Sequence, residues 1–273
     1  MDGFLPYGAG AYAEGRMLAA SEGPVGLIRI NQPEKHNAMS VAMWQGLAEI
    51  LDLFERDPAI RAVLLTGAGG RAFCSGADIS QFEAERSDAN AQQDYERRTR
   101  AGRLRLGGFQ KPVIAAISGY CLGGGLALAM HADLRLADAT ATFGIPAARL
   151  GIAYAFPLVQ KLVGLVGPGQ ARRLLYGGER FDAAEALRIG LIEQLVTDGA
   201  LDAAARDLAR RIGGNAPLSV RAAKLAVDAA ELDSARRDEA AVERAIAACF
   251  DSDDYREGRA AFAAKRPPRF VGR

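Results

Sequence analysis

A glycine cluster between a strand pattern and a helix pattern is the strongest constraint on how this 273-residue chain folds. The apolar run 112–117 (Pro-Val-Ile-Ala-Ala-Ile) predicts a short buried strand, and 126–130 (Leu-Ala-Leu-Ala-Met) predicts a buried helix. Between them, Gly123, Gly124 and Gly125 let a ligand approach bare backbone. A helix beginning there directs unpaired N–H groups at the ligand, so the turn can hold an anion or stabilise an oxyanion. Tight packing of strand against helix is the alternative explanation.

A strand–helix–strand pattern precedes this turn and predicts a parallel sheet. Residues 25–30 and 60–65 are apolar and read as strands, while apolar residues at helical spacing predict a helix over 41–56 with Ser40 as its N-cap. A second glycine-rich turn, 66–79, follows the second strand, where open α/β folds bind ligands. This turn lacks the GxGxxG order and the Walker lysine, which excludes a dinucleotide or nucleoside-triphosphate site.

The remaining segments carry weaker patterns. Residues 1–16 read as a loosely held terminus, the charged stretch 81–108 as a solvated helix or a flap over a pocket, and 142–154 as a loop. A short strand is expected at 191–196. Helices are expected at 155–166, 168–176, 182–189, 201–212, 217–230, 236–250 and 252–264. The last four would form a helical appendage.

Composition narrows the class of protein. A formal net charge of +1 argues against a dedicated nucleic-acid or membrane-surface binder, and no apolar run is long enough to cross a membrane. The Arg-rich stretch 97–105 has no interleaved aromatic residues for stacking on bases. Three cysteines without CxxC spacing and two histidines predict neither a disulfide framework nor a metal site. With no secretion signal at the start of the chain, a cytoplasmic location is expected.

Four segments resemble the crotonase (enoyl-CoA hydratase/isomerase) superfamily over nearly the whole chain, from about residue 25 to 262. They are 31–39 (Asn-Gln-Pro-Glu-Lys-His-Asn-Ala-Met), 72–79 (Ala-Phe-Cys-Ser-Gly-Ala-Asp-Ile), 119–125 (Gly-Tyr-Cys-Leu-Gly-Gly-Gly) and 182–192 (Asp-Ala-Ala-Glu-Ala-Leu-Arg-Ile-Gly-Leu-Ile). The resemblance implies an α/β fold, a spiral of ββα turns with a C-terminal helical trimerisation region. It divides the chain into an acyl-CoA-binding core, 16–200, and a helical oligomerisation region, 201–273.

The same resemblance implies the site. Its oxyanion hole would consist of the backbone N–H groups of Ala77 and Gly124. The CoA thioester would bind along a further group of residues: Lys35, Ala38, Ala77, Asp78, Ile79, Gly123, Phe262 and Lys265. Phe262 and Lys265 would reach the ligand from a neighbouring subunit of a homotrimer or dimer of trimers. Coenzyme A would be part of the substrate, with no separate cofactor and no metal.

The chain departs from the family pattern at two positions. Where a hydratase of this family has its two glutamates, the chain has Ala127 and Ala147, and alanine cannot transfer a proton. Tyr154, after Leu150-Gly151, matches a tyrosine of the methylmalonyl-CoA-decarboxylase-like branch. Burial of that tyrosine against the core is the competing explanation. Arg149 could bind a substrate carboxylate, although a structural ion pair fits that position too.

Three kinds of function therefore stay open. The overall resemblance predicts an acyl-CoA-processing enzyme, a lyase or isomerase of the enoyl-CoA hydratase/isomerase family, that stabilises a thioester enolate. The residues at the site also allow a CoA-ester decarboxylase that uses Tyr154, or a thioester hydrolase. The third reading is an acyl-CoA-binding protein that has kept the fold and lost catalysis. The acyl chain is left undetermined by the sequence.

Overall fold

Eleven strands form two sheets in the part of the chain that this computed structural model describes, residues 3–78 and 89–273. The strands are β1 Leu5–Tyr12, β2 Met17–Glu22, β3 Val25–Ile30, β4 Ala62–Gly67, β5 Ala72–Cys74, β6 Val113–Ile117, β7 Tyr120–Leu122, β8 Leu134–Asp138, β9 Thr142–Gly144, β10 Arg180–Asp182 and β11 Gln194–Val196. The larger sheet has the order β1-β2-β3-β4-β6-β8-β11, and the smaller sheet has the order β10-β9-β7-β5.

The helices of the described residues lie between and after these strands. They are α1 Val41–Arg56, α2 Ala89–Gly107, α3 Gly124–Met130, α4 Phe156–Gly177, α5 Ala183–Arg188, α6 Leu201–Gly213, α7 Pro217–Ala230, α8 Glu239–Phe250 and α9 Asp253–Ala263. Short 3-10 helices occupy Pro33–Lys35, Pro146–Leu150 and Ser234–Arg236. No helix within the described ranges combines the length and apolarity needed to cross a membrane.

From β4 to β9, successive strands alternate between the two sheets, which makes this part of the chain a spiral. β4, β6 and β8 run parallel in the large sheet, and the strands that follow each of them, β5, β7 and β9, run parallel in the small sheet. Each turn of the spiral therefore brings the segment after β5 beside the segment after β7. The expected α/β fold of ββα turns is confirmed, and the two glycine-rich turns of the sequence become neighbours.

Both faces of the large sheet are buried at its central strands, such as β4 and β6, which is why these strands read as continuous apolar runs. On β4, Val63 and Leu65 join the main core with α1. Ala62 and Leu64 face the other way and pack with residues of α6. The predicted boundary at 201 therefore does not separate α6 from the core, because α6 covers one face of the sheet.

The N-terminal prediction was wrong. Residues 1–16 were expected to be loosely held, yet β1 pairs antiparallel with β2, which pairs antiparallel with β3. The predicted core boundary at 16 therefore leaves out a strand of the large sheet. β1 is an edge strand with two Gly-Ala pairs of little hydrophobicity, and most of its side chains stay exposed. The sequence pattern had no apolar alternation to detect there.

The loop predicted at 142–154 also contains more structure than expected. β9 and the 3-10 helix Pro146–Leu150 lie within it. The two helices predicted at 155–166 and 168–176 are confirmed, because the element labelled α4 is interrupted by non-helical backbone at Gly167, where φ is 73°. α1 and its Ser40 cap agree with the prediction, since the Ser40 side chain accepts a hydrogen bond from the Met43 N–H. Of the predicted flap, 81–108, residues 81–88 lie outside the described residues and 89–107 form α2.

Candidate active site

The segment after β5 is hydrogen-bonded to the segment before α1, and this pairing orients the Ala77 amide. The Met39 N–H donates to the Gly76 carbonyl at 2.8 Å, and the Asp78 N–H donates to the Met39 carbonyl at 3.1 Å. Because successive peptide groups of an extended chain alternate in direction, the N–H of Ala77 points away from Met39. It has no acceptor among the described residues.

Asn37 holds the loop before α1 in place. It is fully buried and has a left-handed φ of 56°, a conformation that asparagine tolerates better than most residues. Its side-chain amide donates to the carbonyls of Ala68 and Ala72, at 2.9 and 2.7 Å, and its side-chain oxygen accepts from the Gln32 N–H. The loop is therefore tied to the glycine-rich turn that leads from β4 into β5.

Gly124 supplies a second free amide because it is the first residue of α3. The preceding residue, Gly123, has φ 50° and ψ −113°, which a residue with a side chain rarely adopts. The Gly123 carbonyl accepts the first hydrogen bond of the helix, from the Ala127 N–H at 3.0 Å. The Gly124 N–H precedes that ladder and has no partner in the described part of the chain.

These two amides are side by side. β5 and β7 pair in parallel with Cys74 opposite Cys121, so the segments that follow them run together. A Cβ atom built on Gly124 would lie 3.4 Å from the Ala77 nitrogen, and one built on Gly76 would lie 3.6 Å from the Gly124 nitrogen. Two unpaired N–H groups from separate turns of the spiral thus border the same space.

That space is a cavity of about 490 Å³. Most of its lining is apolar or backbone, and the lining includes Ala77, Gly123 and Gly124. Ala127 and Ala147, the positions where the resemblance places glutamates, also line it. Their methyl groups cannot transfer a proton, so any acid or base in this cavity has to come from another residue.

Tyr154 lines the same cavity, on the segment before α4. Its hydroxyl donates a hydrogen bond to the Gly123 carbonyl at 3.1 Å, next to the Gly124 amide. Burial raises the pKa of the Tyr154 phenol above its ordinary value, and the neighbouring Cys121 thiol raises it further. The phenol is therefore protonated at neutral pH, and its O–H proton lies in the hydrogen bond to Gly123. Tyr154 also packs against the core, as its alternative interpretation expected.

The cavity contains one pair of charged residues that the sequence interpretation assigned to a solvated helix. Glu96 and Arg103 of α2 both line it, and they form an ion pair. A signal for this was present in the sequence, because Tyr95, Thr99 and Leu106 recur at helical spacing and are all buried. Such a stripe indicates that one face of the charged helix is turned inward, and Arg103 lies beside it.

The residues predicted to bind CoA are partly gathered here. Lys35 is half exposed at the end of its 3-10 helix, and its ammonium lies 2.9 Å from the buried carboxylate of Asp78. Ala38 is buried in the loop that Asn37 anchors. Ile79 lies outside the described residues. Lys35, Ala38 and Asp78 do not line the cavity itself, although the pairing of Met39 with Ala77 brings their two segments together. Their contact with CoA stays a prediction.

Phe262 and Lys265 are not among the residues that line this cavity. Phe262 projects from α9 with 89% of its surface exposed, and Lys265 follows the end of that helix with a left-handed φ of 50°. Within a single chain these residues do not contribute to the site. Arg149 is also outside the lining, since its aliphatic stem lies against Gly178.

The two cysteines beside the turns are unreactive at neutral pH. Cys74 and Cys121 are fully buried, and burial raises the pKa of the Cys74 thiol to about 12 and that of the Cys121 thiol well above its usual range. Thiols that stay protonated at neutral pH are poor nucleophiles. Both therefore serve as small apolar core residues, as the sequence interpretation expected.

Comparison with known proteins places this geometry in a family. The family model described as enoyl-CoA hydratase/isomerase matches residues 20–273. The chain is 35% identical over 253 residues to the short-chain-enoyl-CoA hydratase of Clostridium acetobutylicum, covering 92% of this chain and 95% of that one. It is 36% identical over 258 residues to the carnitinyl-CoA dehydratase of Proteus mirabilis, covering 93% and 97%.

Solved structures agree with the sequence relatives. An enoyl-CoA hydratase/carnithine racemase from Magnetospirillum magneticum superposes with a TM-score of 0.90 and 36% identity, over 94% of this chain and 96% of that chain. An enoyl-CoA hydratase from Bacillus anthracis gives a TM-score of 0.88 with 31% identity, over 94% and 100%. The match thus extends through sequence, fold and nearly full length, and the chain belongs to the enoyl-CoA hydratase/isomerase family of the crotonase superfamily.

Proposed function

We propose that this enzyme stabilises the enolate of an acyl-CoA thioester with the N–H groups of Ala77 and Gly124. The observation that carries the proposal is the pair of adjacent, unpartnered amides at the wall of the cavity. When a thioester becomes an enolate, negative charge develops on its carbonyl oxygen. Preorganised donors stabilise that charge, and one such donor lowers the barrier by roughly 2.7–4 kcal/mol. The acyl-CoA substrate class is that of the relatives' names.

The CoA part of the substrate would lie along the loop before α1. Ala38 and Asp78 border the Ala77 amide there, and the ammonium of Lys35 is exposed enough to meet a phosphate group. Ile79 would continue this path. Phe262 and Lys265 would complete it only from a neighbouring copy of the chain, because neither borders the cavity of its own chain. All of the groups used here belong to the protein or the substrate, so the reaction calls for no further cofactor.

Decarboxylation of a malonyl-type CoA ester is the reaction that the residues of the cavity support best. Breaking the bond between the α-carbon and the carboxylate releases CO₂ and leaves its electron pair in the enolate, so no base is needed. The α-carbon then takes up one proton to give the saturated acyl-CoA. Tyr154 is a protonated donor next to Gly124, and it would deliver that proton and regain one from water.

Hydration or isomerisation of an enoyl-CoA is the second candidate, because relatives at 35% identity are named hydratases. Those reactions require a group that moves a proton to or from carbon. With Ala127 and Ala147 at the two positions expected for glutamates, Glu96 is the carboxylate that the described lining offers. Glu96 is engaged with Arg103, which favours decarboxylation over this alternative.

Replacing the Gly124 amide tests the proposal directly. In the Gly124→Pro variant the ring removes the N–H, and proline is accepted at the first position of a helix. We expect turnover of methylmalonyl-CoA or crotonyl-CoA, whichever the wild type converts, to fall roughly 100- to 1000-fold. The matched control is Gly124→Ala, which keeps the N–H and places its Cβ 3.4 Å from the Ala77 nitrogen.

Two results would contradict the proposal. Unchanged turnover in Gly124→Pro would mean that the amide has no catalytic role, and equal losses in the proline and alanine variants would point to crowding. If the wild type binds CoA esters at micromolar concentration and converts neither substrate, the chain is an acyl-CoA-binding protein that has lost catalysis.

A further inference from the structure

Arg103 is the one cationic side chain among the described residues that line the cavity. About a fifth of its side chain is exposed, so its guanidinium is largely removed from water. Removing a charge from water is costly unless it is paired and hydrogen-bonded. Glu96 supplies one such partner, and no other charged side chain lines the cavity among the described residues.

Contacts on two sides hold Arg103 in place. One terminal nitrogen, Nη2, donates to the side chain and the main-chain carbonyl of Glu96, the latter at 3.2 Å. The guanidinium carbon also lies 6.0 Å from the centre of the Trp44 ring of α1. The preceding residue, Gly102, packs directly on the Trp44 backbone, which sets the distance between α1 and α2. The side chain is thus positioned before any ligand arrives.

The Arg103 guanidinium has N–H donors that the contact with Glu96 does not use. Nη2 makes both hydrogen bonds to Glu96, whereas Nε and Nη1 donate to nothing within the described residues. A guanidinium has five N–H donors in a rigid planar fork, and two adjacent nitrogens match the two oxygens of a carboxylate. Glu96 is the more exposed partner of the pair, with 40% of its side chain exposed against 21% for Arg103.

We propose that Arg103 binds a carboxylate carried by the acyl chain, so that the substrates are CoA thioesters of dicarboxylic acids. This deepens the proposed function and rests on it, because the acyl group must enter the cavity that borders Ala77 and Gly124. Arg149, the carboxylate-binding candidate of the sequence analysis, does not line the cavity. Arg103, on α2, takes that role instead.

Binding of unreactive CoA thioethers tests this assignment. An S-(carboxyalkyl)-CoA has no thioester carbonyl, so its affinity does not depend on the oxyanion hole. We would measure by calorimetry a series with one to three methylene groups, each beside its neutral carboxamide isostere. Wild type is expected to bind at least one carboxylate roughly 10- to 100-fold more tightly than its carboxamide, as a charge-assisted hydrogen-bonded pair implies. The length of the preferred member reports where the carboxylate sits.

Matched variants identify the residue responsible. Arg103→Met should abolish the preference while leaving the carboxamide affinity within about twofold. Arg100→Met, an exposed position on the same helix that does not line the cavity, should keep the preference. Glu96→Gln, which removes the competing carboxylate, should keep or increase it.

The proposal is overturned if wild type shows no preference at any length, or if Arg103→Met weakens carboxylates and carboxamides equally. Loss of the preference in Glu96→Gln would also overturn it, because the ion pair would then act only as a structural support. None of these results bears on the oxyanion hole, which the Gly124 variants test through turnover.

Discussion

The three glycines of the turn before α3, at 123–125, have different tasks. Gly123 adopts a backbone conformation that turns the chain into α3. Gly125 is needed for packing, since a Cβ there would lie 2.0 Å from the Cys74 carbonyl oxygen. Gly124 lies between them with room for a Cβ at 3.4 Å. Position 124 therefore tolerates a Cβ better than position 125, and the Gly124 N–H is the part that borders the cavity.

Tyr154 is the residue for which the catalytic and structural interpretations make different predictions. In Tyr154→Phe the ring remains and the hydroxyl is lost, so we expect decarboxylation of methylmalonyl-CoA to fall about 100-fold, as loss of a proton donor does. Loss of its hydrogen bond to Gly123 should lower the free energy of unfolding by only about 0.5–1.5 kcal/mol. Initial rates and denaturant unfolding on the same preparation measure the two effects.

Tyr176→Phe is the control for this substitution, because Tyr176 is 75% exposed on α4 and does not line the cavity. Tyr176→Phe should change neither the decarboxylation rate nor the free energy of unfolding. A Tyr154→Phe enzyme that decarboxylates at the wild-type rate would show that the hydroxyl is only a structural donor.

At the scale of elements, the contact between α1 and α2 sets the shape of the cavity. Gly102 of α2 lies so close to Trp44 of α1 that a Cβ would be 2.4 Å from the Trp44 carbonyl oxygen. Trp44 and Arg103 both line the cavity, so this contact positions one of its walls. The sequence of α2 gives little sign of this contact, because most of the helix surface is charged and its buried face is narrow.

The Gly102→Ala variant should separate these helices. We expect a loss of roughly 1–3 kcal/mol in the free energy of unfolding from overpacking, together with weaker acyl-CoA binding. Gly107→Ala, at the exposed end of the same helix, meets its nearest neighbour at 3.4 Å and should be neutral or slightly stabilising. Denaturant unfolding of both variants checks this, and equal stabilities would contradict the packing argument.

At the scale of the whole molecule, the C-terminal helices present an apolar surface. Val227 of α7, Ile246 and Phe250 of α8 and Phe262 of α9 are all strongly exposed in the single chain. The resemblance to the crotonase superfamily predicts that other copies of the chain cover this surface. It also predicts that Phe262 and Lys265 then reach a neighbouring site.

Light scattering after gel filtration should therefore give three or six times the 28.9 kDa mass of the chain. Phe262→Ser should raise the KM for a CoA thioester several-fold with little change in kcat, because Phe262 is predicted to touch CoA and not the reacting carbon. Tyr176→Ser, an equally exposed aromatic position on α4, should leave both constants unchanged. A monomeric enzyme with full activity would refute the shared site.

Much of the fold was predictable, because it rests on patterns within short stretches. The periodicity of 41–56 and the Ser40 cap predicted α1 to the residue, and the apolar runs predicted β3, β4 and β6 within two residues. β1 was missed because an exposed edge strand takes its hydrogen bonds from β2 and needs no apolar alternation. Residues 81–88 of the predicted flap, 81–108, lie outside the described structure, so the flap stays a prediction.

The sequence by itself determined which chemistry is possible: two glycine-rich turns with free backbone donors, alanines at 127 and 147, and one tyrosine nearby. Only the tertiary structure decided which groups meet. Parallel pairing of β5 with β7 brings the Ala77 and Gly124 amides together, and packing of α2 on α1 turns Arg103 into the cavity. Helical and strand periods describe neighbours along the chain, whereas these contacts join distant segments through burial.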